Sequence, residues 1–152
     1  MTIADLLTPD RVLVLEERTD KGSLLRTMAT HAAKALLIDA GRLADELLTR
    51  EELGSTGLGA GVAIPHAQIA EVKHPLGVLA LLRNPIDFDA IDEEPVDIVF
   101  MLALPTSQAA LSALSRTARV LRQEDIAVSL RQADLELNPK KAVSILSAQF
   151  SG

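Results

Sequence analysis

No cysteine occurs in the 152 residues, and tryptophan and tyrosine are absent as well. The first absence removes disulfides, thiolate nucleophiles and cysteine-ligated metals, and fits a reducing cytoplasm. The second leaves three phenylalanines as the whole aromatic content, so the core must be aliphatic and a base- or sugar-stacking site lacks its aromatic faces. Long apolar runs are missing too. No stretch approaches the roughly 18 residues of a membrane span, and the N-terminal MTIADLLTPD has no basic segment leading into an apolar one. No membrane insertion is expected. Cationic side chains are outnumbered, 15 Lys and Arg against 21 Asp and Glu, for a formal net charge of -6. That balance disfavours a nucleic-acid backbone as the ligand and leaves proteins or small molecules as partners.

What is present fits one domain over residues 1–152, with an apolar share of 48%. Arg11 to Glu16 (RVLVLE) reads as a short strand. Asp20 caps a helix to about Leu36, whose buried stripe is Leu25, Met28, Ala32 and Ala35. Asp39 caps a second, with Leu43, Leu47 and Leu48 inward and Gly54 at its C-terminal end. Gly54 to Gly61 (GSTGLGAG) has no helical or strand period. Gly77 to Arg83 and Val96 to Leu104 are apolar at consecutive positions, as in strands covered on both faces. Between them RNPIDFDAIDEEP carries turn chemistry, and the six carboxylates of Asp87 to Asp97 read as a solvated loop. Thr106 or Ser107 caps a helix with Leu111, Leu114, Ala118 and Leu121 inward; two shorter helices run from about Glu124 to Gln132 and from Pro139 to Leu146, with Asn138 as N-cap. The order predicts an α/β fold, a mixed sheet sandwiched by helices.

The segment that carries chemistry is Arg50 to His66, REELGSTGLGAGVAIPH. Its glycines let backbone amides turn toward one point, Ser55 and Thr56 add hydroxyls beside Gly57, and Arg50 adds a cation: the parts of an anion site. His66 follows Pro65, whose fixed φ narrows the directions open to the ring. A neutral imidazole offers a lone pair near pH 7, and phosphoryl transfer asks for positioning and charge stabilisation more than for covalent help, so no metal or other cofactor is required. His66 is the candidate nucleophile, with Arg50, Ser55, Thr56 and Gly57 around the phosphoryl group. A dinucleotide fingerprint is disfavoured because the glycines follow a helix and lead into a short apolar run. His31, on a helix flank, and His74, in a polar turn before Pro75, read as surface residues, and His66 with His74 lacks the further ligands of a zinc site.

LTREELGSTGLGAGVAIPHA, Leu48 to Ala67, resembles the active-site block of the mannitol, fructose and nitrogen-regulatory enzyme IIA group of the phosphotransferase system, and NPIDFDAIDEEPVDIVFMLALP, Asn84 to Pro105, resembles the strand and loop that follow. The resemblance implies phosphorylation of His66 by an HPr-like phosphocarrier, and onward transfer to a transport domain or, in the nitrogen-regulatory branch, a regulatory role toward a kinase or transporter. It also implies a second histidine where Ala110 stands, and a Gly-Lys pair where Ala67 and Gln68 stand. Those departures keep two other readings open, a binding module of the same fold with little or no phosphorylation, and a IIA subunit of a sugar transporter.

Overall fold

A computed structural model describes residues 1–150. The helices are α1 (Ile3–Leu6), α2 (Lys21–Leu36), α3 (Ala40–Glu52), α4 (Gln108–Leu121), α5 (Glu124–Gln132) and α6 (Lys140–Ser147), and the strands are β1 (Val12–Leu15), β2 (Gly57–Gly59), β3 (Val62–Ala63), β4 (His66–Gln68), β5 (Leu76–Ile86) and β6 (Val96–Leu104). They form one mixed sheet between two helical layers, as the sequence predicts.

β6 organises the sheet. It pairs antiparallel with β5 along one edge, while on the other β3 and β4 follow one another in parallel register, Val62 to Ile98 and His66 to Leu102. The sheet order is β1-β5-β6-β3-β2, with β4 also on β6. Because side chains alternate across a strand, Val99, Met101 and Ala103 face the layer of α2 and α3, and Ile98, Phe100, Leu102 and Leu104 face that of α1, α4, α5 and α6. Both faces of β6 are buried, which is why it reads as an unbroken apolar run.

Asp20 and Asp39 cap their helices as predicted, each accepting the backbone N–H of the third residue beyond at 2.8 Å. Five expectations change. The segment Gly57 to Ala63 is a hairpin with a register shift, not a structureless loop; Ala60, Gly59 and Gly61 all have positive φ at its tip, a turn that hides strand periodicity. β5 continues through Asn84 and Pro85 to Ile86, which pairs with Val96 across an irregularity that relieves the proline of a ladder donor. α1 escapes the sequence pattern because a helix of one turn has no period. The inward stripe of α4 is Ala110, Ala113, Thr117, Val120 and Leu121, and Leu111 is 61% exposed. Small side chains bring α4 close to the sheet, and Thr117 joins the buried face by donating its hydroxyl to the Ala113 carbonyl at 2.8 Å. In α2, similarly, Leu24, Ala29 and Ala33 are buried and Ala35 is exposed.

Gly77 of β5 lies under the ring of Phe100, where a Cβ would stand 2.5 Å from Cε1 and 2.9 Å from Cζ. Phe100 is fully buried and has no space to retreat into. Gly77→Ala is expected to lower stability by about 1–3 kcal/mol, read as a lower denaturant midpoint at unchanged slope; an unaltered midpoint would show that the ring relocates freely.

Candidate functional site

His66 opens β4, one residue after the break between β3 and β4. The register is kept through the break, since Ala63 faces Val99 and His66 faces Leu102. Pro65 still accepts the Leu102 N–H at 2.9 Å through its carbonyl, and Ile64 donates to Thr56 O at 3.0 Å. The carbonyl of Ile64 accepts a hydrogen bond from His66 Nδ1 at 2.9 Å. A carbonyl cannot donate, so Nδ1 bears the proton and Nε2 is the nitrogen with a lone pair. No buried side-chain nitrogen or oxygen among the described residues lacks a partner, so the unpartnered Nε2 is open to solvent.

Beside the ring lies a cleft of about 280 Å³ lined by Glu46, Thr49 and Arg50 of the C-terminal half of α3, by Leu53 just past its end, and by His66, Ala67 and Gln68 of β4. Arg50 is half-buried and donates to the Gly54 carbonyl at 3.1 Å, which leaves further guanidinium N–H groups for the cleft. Burial holds the His66 imidazole below the ordinary histidine pKa; the Ile64 hydrogen bond opposes this, the Arg50 cation adds to it, and the Glu51 carboxylate opposes it. Burial thus favours the neutral form of the ring, which lines the same cleft as the Arg50 cation.

The structure brings together His66 and Arg50 from the predicted set, and gives the other three internal tasks. Ser55 Oγ donates its proton to the Phe88 carbonyl at 2.7 Å and accepts the Gly57 N–H at 3.1 Å. Thr56 Oγ1 donates to Glu51 Oε2 at 2.6 Å, and its amide donates to Glu51 Oε1 at 3.2 Å. Each hydroxyl has one proton and each is already spent, so neither is free to hold a phosphoryl oxygen in this arrangement. Gly57 is glycine for packing: a Cβ there would stand 2.9 Å from that of Ala90. The neutral side chains with donors that line the cleft instead are Thr49 and Gln68; the Gln68 amide gives one N–H to the Pro105 carbonyl at 3.5 Å and keeps a second. Thr49 precedes Arg50 by one residue, but nothing in the local sequence separates it from any exposed helical threonine.

Ala110 lies outside this cleft. It is 1% exposed and packs into the layer of α4 to α6, and its amide already donates to Ser107 O at 3.1 Å. His31 and His74 are exposed, as expected. His74 borders a larger cavity, of about 690 Å³, together with Asp5 and Arg116, and His66 is not part of it.

Residues 5–147 match the family described as "Phosphoenolpyruvate-dependent sugar phosphotransferase system, EIIA 2". The chain belongs to this family. Among its relatives, a nitrogen regulatory protein of Bradyrhizobium diazoefficiens is 41% identical over 133 residues, 86% of this chain and 87% of that one. A nitrogen regulatory protein of Pseudomonas aeruginosa is 37% identical over 134 residues, with the same two coverages. The crystal structure of the nitrogen regulatory protein IIA-Ntr from Neisseria meningitidis superposes with a TM-score of 0.86 at 32% identity, over 95% of this chain and 98% of that one. At 16% identity the mannitol IIA of Escherichia coli, with a TM-score of 0.76 over 92% of this chain and 98% of that one, shares the fold. No helix among the described residues is long and apolar enough to cross a membrane.

Two measurements test the geometry. Because its ring is favoured in the neutral form, His66 should titrate by NMR with a midpoint below the ordinary histidine value of about 6.5. Its Nε2 therefore stays available as pH falls through that value and is lost only further down; a midpoint above it would mean that the carboxylate outweighs burial. Ala110→His, which forces an imidazole into a packed layer, is expected to cost about 1–3 kcal/mol. A thermal scan showing no loss would place position 110 at the surface.

Proposed function

We propose that this EIIA-type chain is a phosphohistidine carrier and regulator of the nitrogen-regulatory branch, in which Nε2 of His66 takes a phosphoryl group from an HPr-like phosphocarrier. The observation that carries the reading is the fixed tautomer: Nδ1–H is held by the Ile64 carbonyl, and the bare nitrogen lies beside a cleft that Arg50 also lines. The lone pair of Nε2 attacks the phosphorus of the partner's phosphohistidine, and an N–P bond forms as the partner's P–N bond breaks. The electron pair of that bond returns to the partner's ring nitrogen, and the Nδ1 proton stays on His66, where the Ile64 carbonyl shares the positive charge that develops. Arg50, with the Thr49 hydroxyl and the Gln68 amide as neutral donors, would hold the phosphoryl oxygens during transfer. The site thus supplies orientation and charge stabilisation without a second imidazole at position 110.

The regulatory branch is favoured by the relatives above, both of them nitrogen regulatory proteins at 41% and 37% identity. A sugar-uptake role is the second reading, supported by 34% identity over 139 residues to the fructose-specific EIIABC component of Bacillus subtilis, of which the match covers 22%.

Incubation with phosphoenolpyruvate, enzyme I and an HPr-like carrier, followed by intact-mass measurement, should show one added phosphoryl group, labile in acid, stable in base and absent from His66→Ala. Peptide mapping and NMR should place it on Nε2; attachment to Nδ1, or to His31 or His74, would overturn the mechanism. Arg50→Ala should slow the transfer by about 10²-fold at nearly unchanged stability. A rate equal to wild type would remove Arg50 from the site.

A further inference from the structure

The pairing between residues 56 and 64 is half made. Gly57 faces Ala63 in the β2–β3 hairpin, so in the same register Thr56 faces Ile64. Directly opposed residues in an antiparallel ladder alternate between pairs that exchange two hydrogen bonds and pairs that exchange none, and a bond between Ile64 and Thr56 marks this pair as the first kind. Here only one of the two bonds forms, from Ile64 N–H to Thr56 O. The Thr56 N–H turns instead to Glu51 Oε1 at 3.2 Å, and the Ile64 carbonyl, relieved of its ladder partner, accepts the Nδ1–H of His66.

Glu51 is built for that diversion. It is buried, yet both of its oxygens are satisfied: Oε2 accepts the Thr56 hydroxyl at 2.6 Å, and Oε1 lies 3.0 Å from Lys21 Nζ as well as accepting the amide. Lys21 is anchored in turn by the Phe88 carbonyl at 3.3 Å and stands 4.5 Å from the Phe88 ring centroid. A buried carboxylate is costly unless it is paired and hydrogen-bonded, and this one is held by α2, its own helix α3 and the loop before β2. An ordinary hairpin requires none of it.

We propose that Glu51 is the positioning residue of His66: by drawing the Thr56 amide out of the hairpin ladder it keeps the Ile64 carbonyl open for Nδ1–H and thereby selects Nε2 as the nucleophile. The link to catalysis rests on the phosphoryl-carrier reading above, whereas the control of the tautomer does not. Without Glu51, the Thr56 amide closes onto Ile64 O; that oxygen has two lone pairs, but the ladder geometry draws it toward Thr56, so the Nδ1–H bond weakens and both ring nitrogens share the proton. The carboxylate also acts through charge, opposing on the ring the effects of burial and of the Arg50 cation. Glu46 and Arg50 are the other charged side chains lining the cleft, both on α3; β4 brings the neutral Gln68.

The test is long-range ¹H–¹⁵N NMR of the His66 ring in the unphosphorylated full chain, combined with phosphorylation kinetics using the HPr-like donor. Wild type should show Nδ1–H alone. Glu51→Ala should show a mixture of both tautomers and a transfer rate at saturating donor lowered by about tenfold, with the donor concentration at half-maximal rate little changed. Glu51→Gln, whose amide oxygen still accepts the Thr56 N–H, should restore the Nδ1–H tautomer while its titration midpoint falls, because the opposing charge is gone. If Glu51→Ala does not fold, Lys21→Met with Glu51→Met, which leaves no unpaired buried charge, carries the same measurement. A pure Nδ1–H tautomer in the variants lacking an acceptor at position 51 would overturn the proposal. Wild type that keeps this Glu51-dependent tautomer but accepts no phosphoryl group would overturn the carrier reading and leave the positioning role standing.

Discussion

The hydrogen bond from His66 Nδ1 to the Ile64 carbonyl is the interaction on which the site depends. It joins a side chain to the backbone two residues earlier across Pro65, so the reach is short and the proline's fixed φ limits the geometries that close it. It also needs a carbonyl that the sheet has left unused. Ile64 lies where the pairing of β3 with β6 pauses before β4 resumes it in the same register, and its backbone groups point toward β2. The sheet edge holds the backbone, the backbone holds the ring, and partial burial of the ring favours the neutral form that a nucleophile needs.

Arg50 and Glu51 are consecutive in the last turn of α3, and their opposite charges are put to different uses. Neighbouring residues on a helix project about 100° apart, so one side chain reaches the cleft and the other enters the interior. Arg50 is half-buried beside His66, where a cation at a helix C-terminus also suits the helix dipole. Glu51 is buried and meets Lys21 and the Thr56 amide and hydroxyl. The two act on the ring in opposite directions, so its proton affinity reflects a balance between them as well as its burial.

Ser55 and Thr56 stiffen this arrangement from within. Ser55 ties the hairpin to the Phe88 carbonyl, the same carbonyl that receives Lys21, so the loop after β5 and the hairpin share one anchor. Beyond it Ala60 N–H donates to Asp92 Oδ2 at 2.9 Å, and Arg131 of α5 holds both Asp97 and the Ala60 carbonyl. Asp92 of the exposed loop and Asp97 at the start of β6 thus secure the hairpin tip, which a count of charges along the chain does not reveal. The helix layer opposite contributes packing alone at Ala110, where a small side chain lets α4 approach the sheet.

Much of the fold was written in local pattern. The caps at Asp20 and Asp39, the doubly buried run of β6 and the α/β order are properties of neighbouring residues, and so is the chemistry of a histidine after a proline with an arginine one helical turn before a glycine-rich segment. The resemblance of Leu48 to Ala67 to the IIA group added the family. What only the tertiary structure decided is which donors are free. Ser55, Thr56 and Gly57 have the composition of an anion cradle, but their protons and their space are claimed by Phe88, Glu51 and Ala90, residues that local pattern does not connect to them. Glu51 looks in sequence like one more surface charge on α3, and it is buried because Lys21, thirty positions earlier, meets it there. Periodicity reports which face of an element is apolar; it carries no information about where a hydroxyl spends its single proton, because that depends on distances between segments that only folding sets.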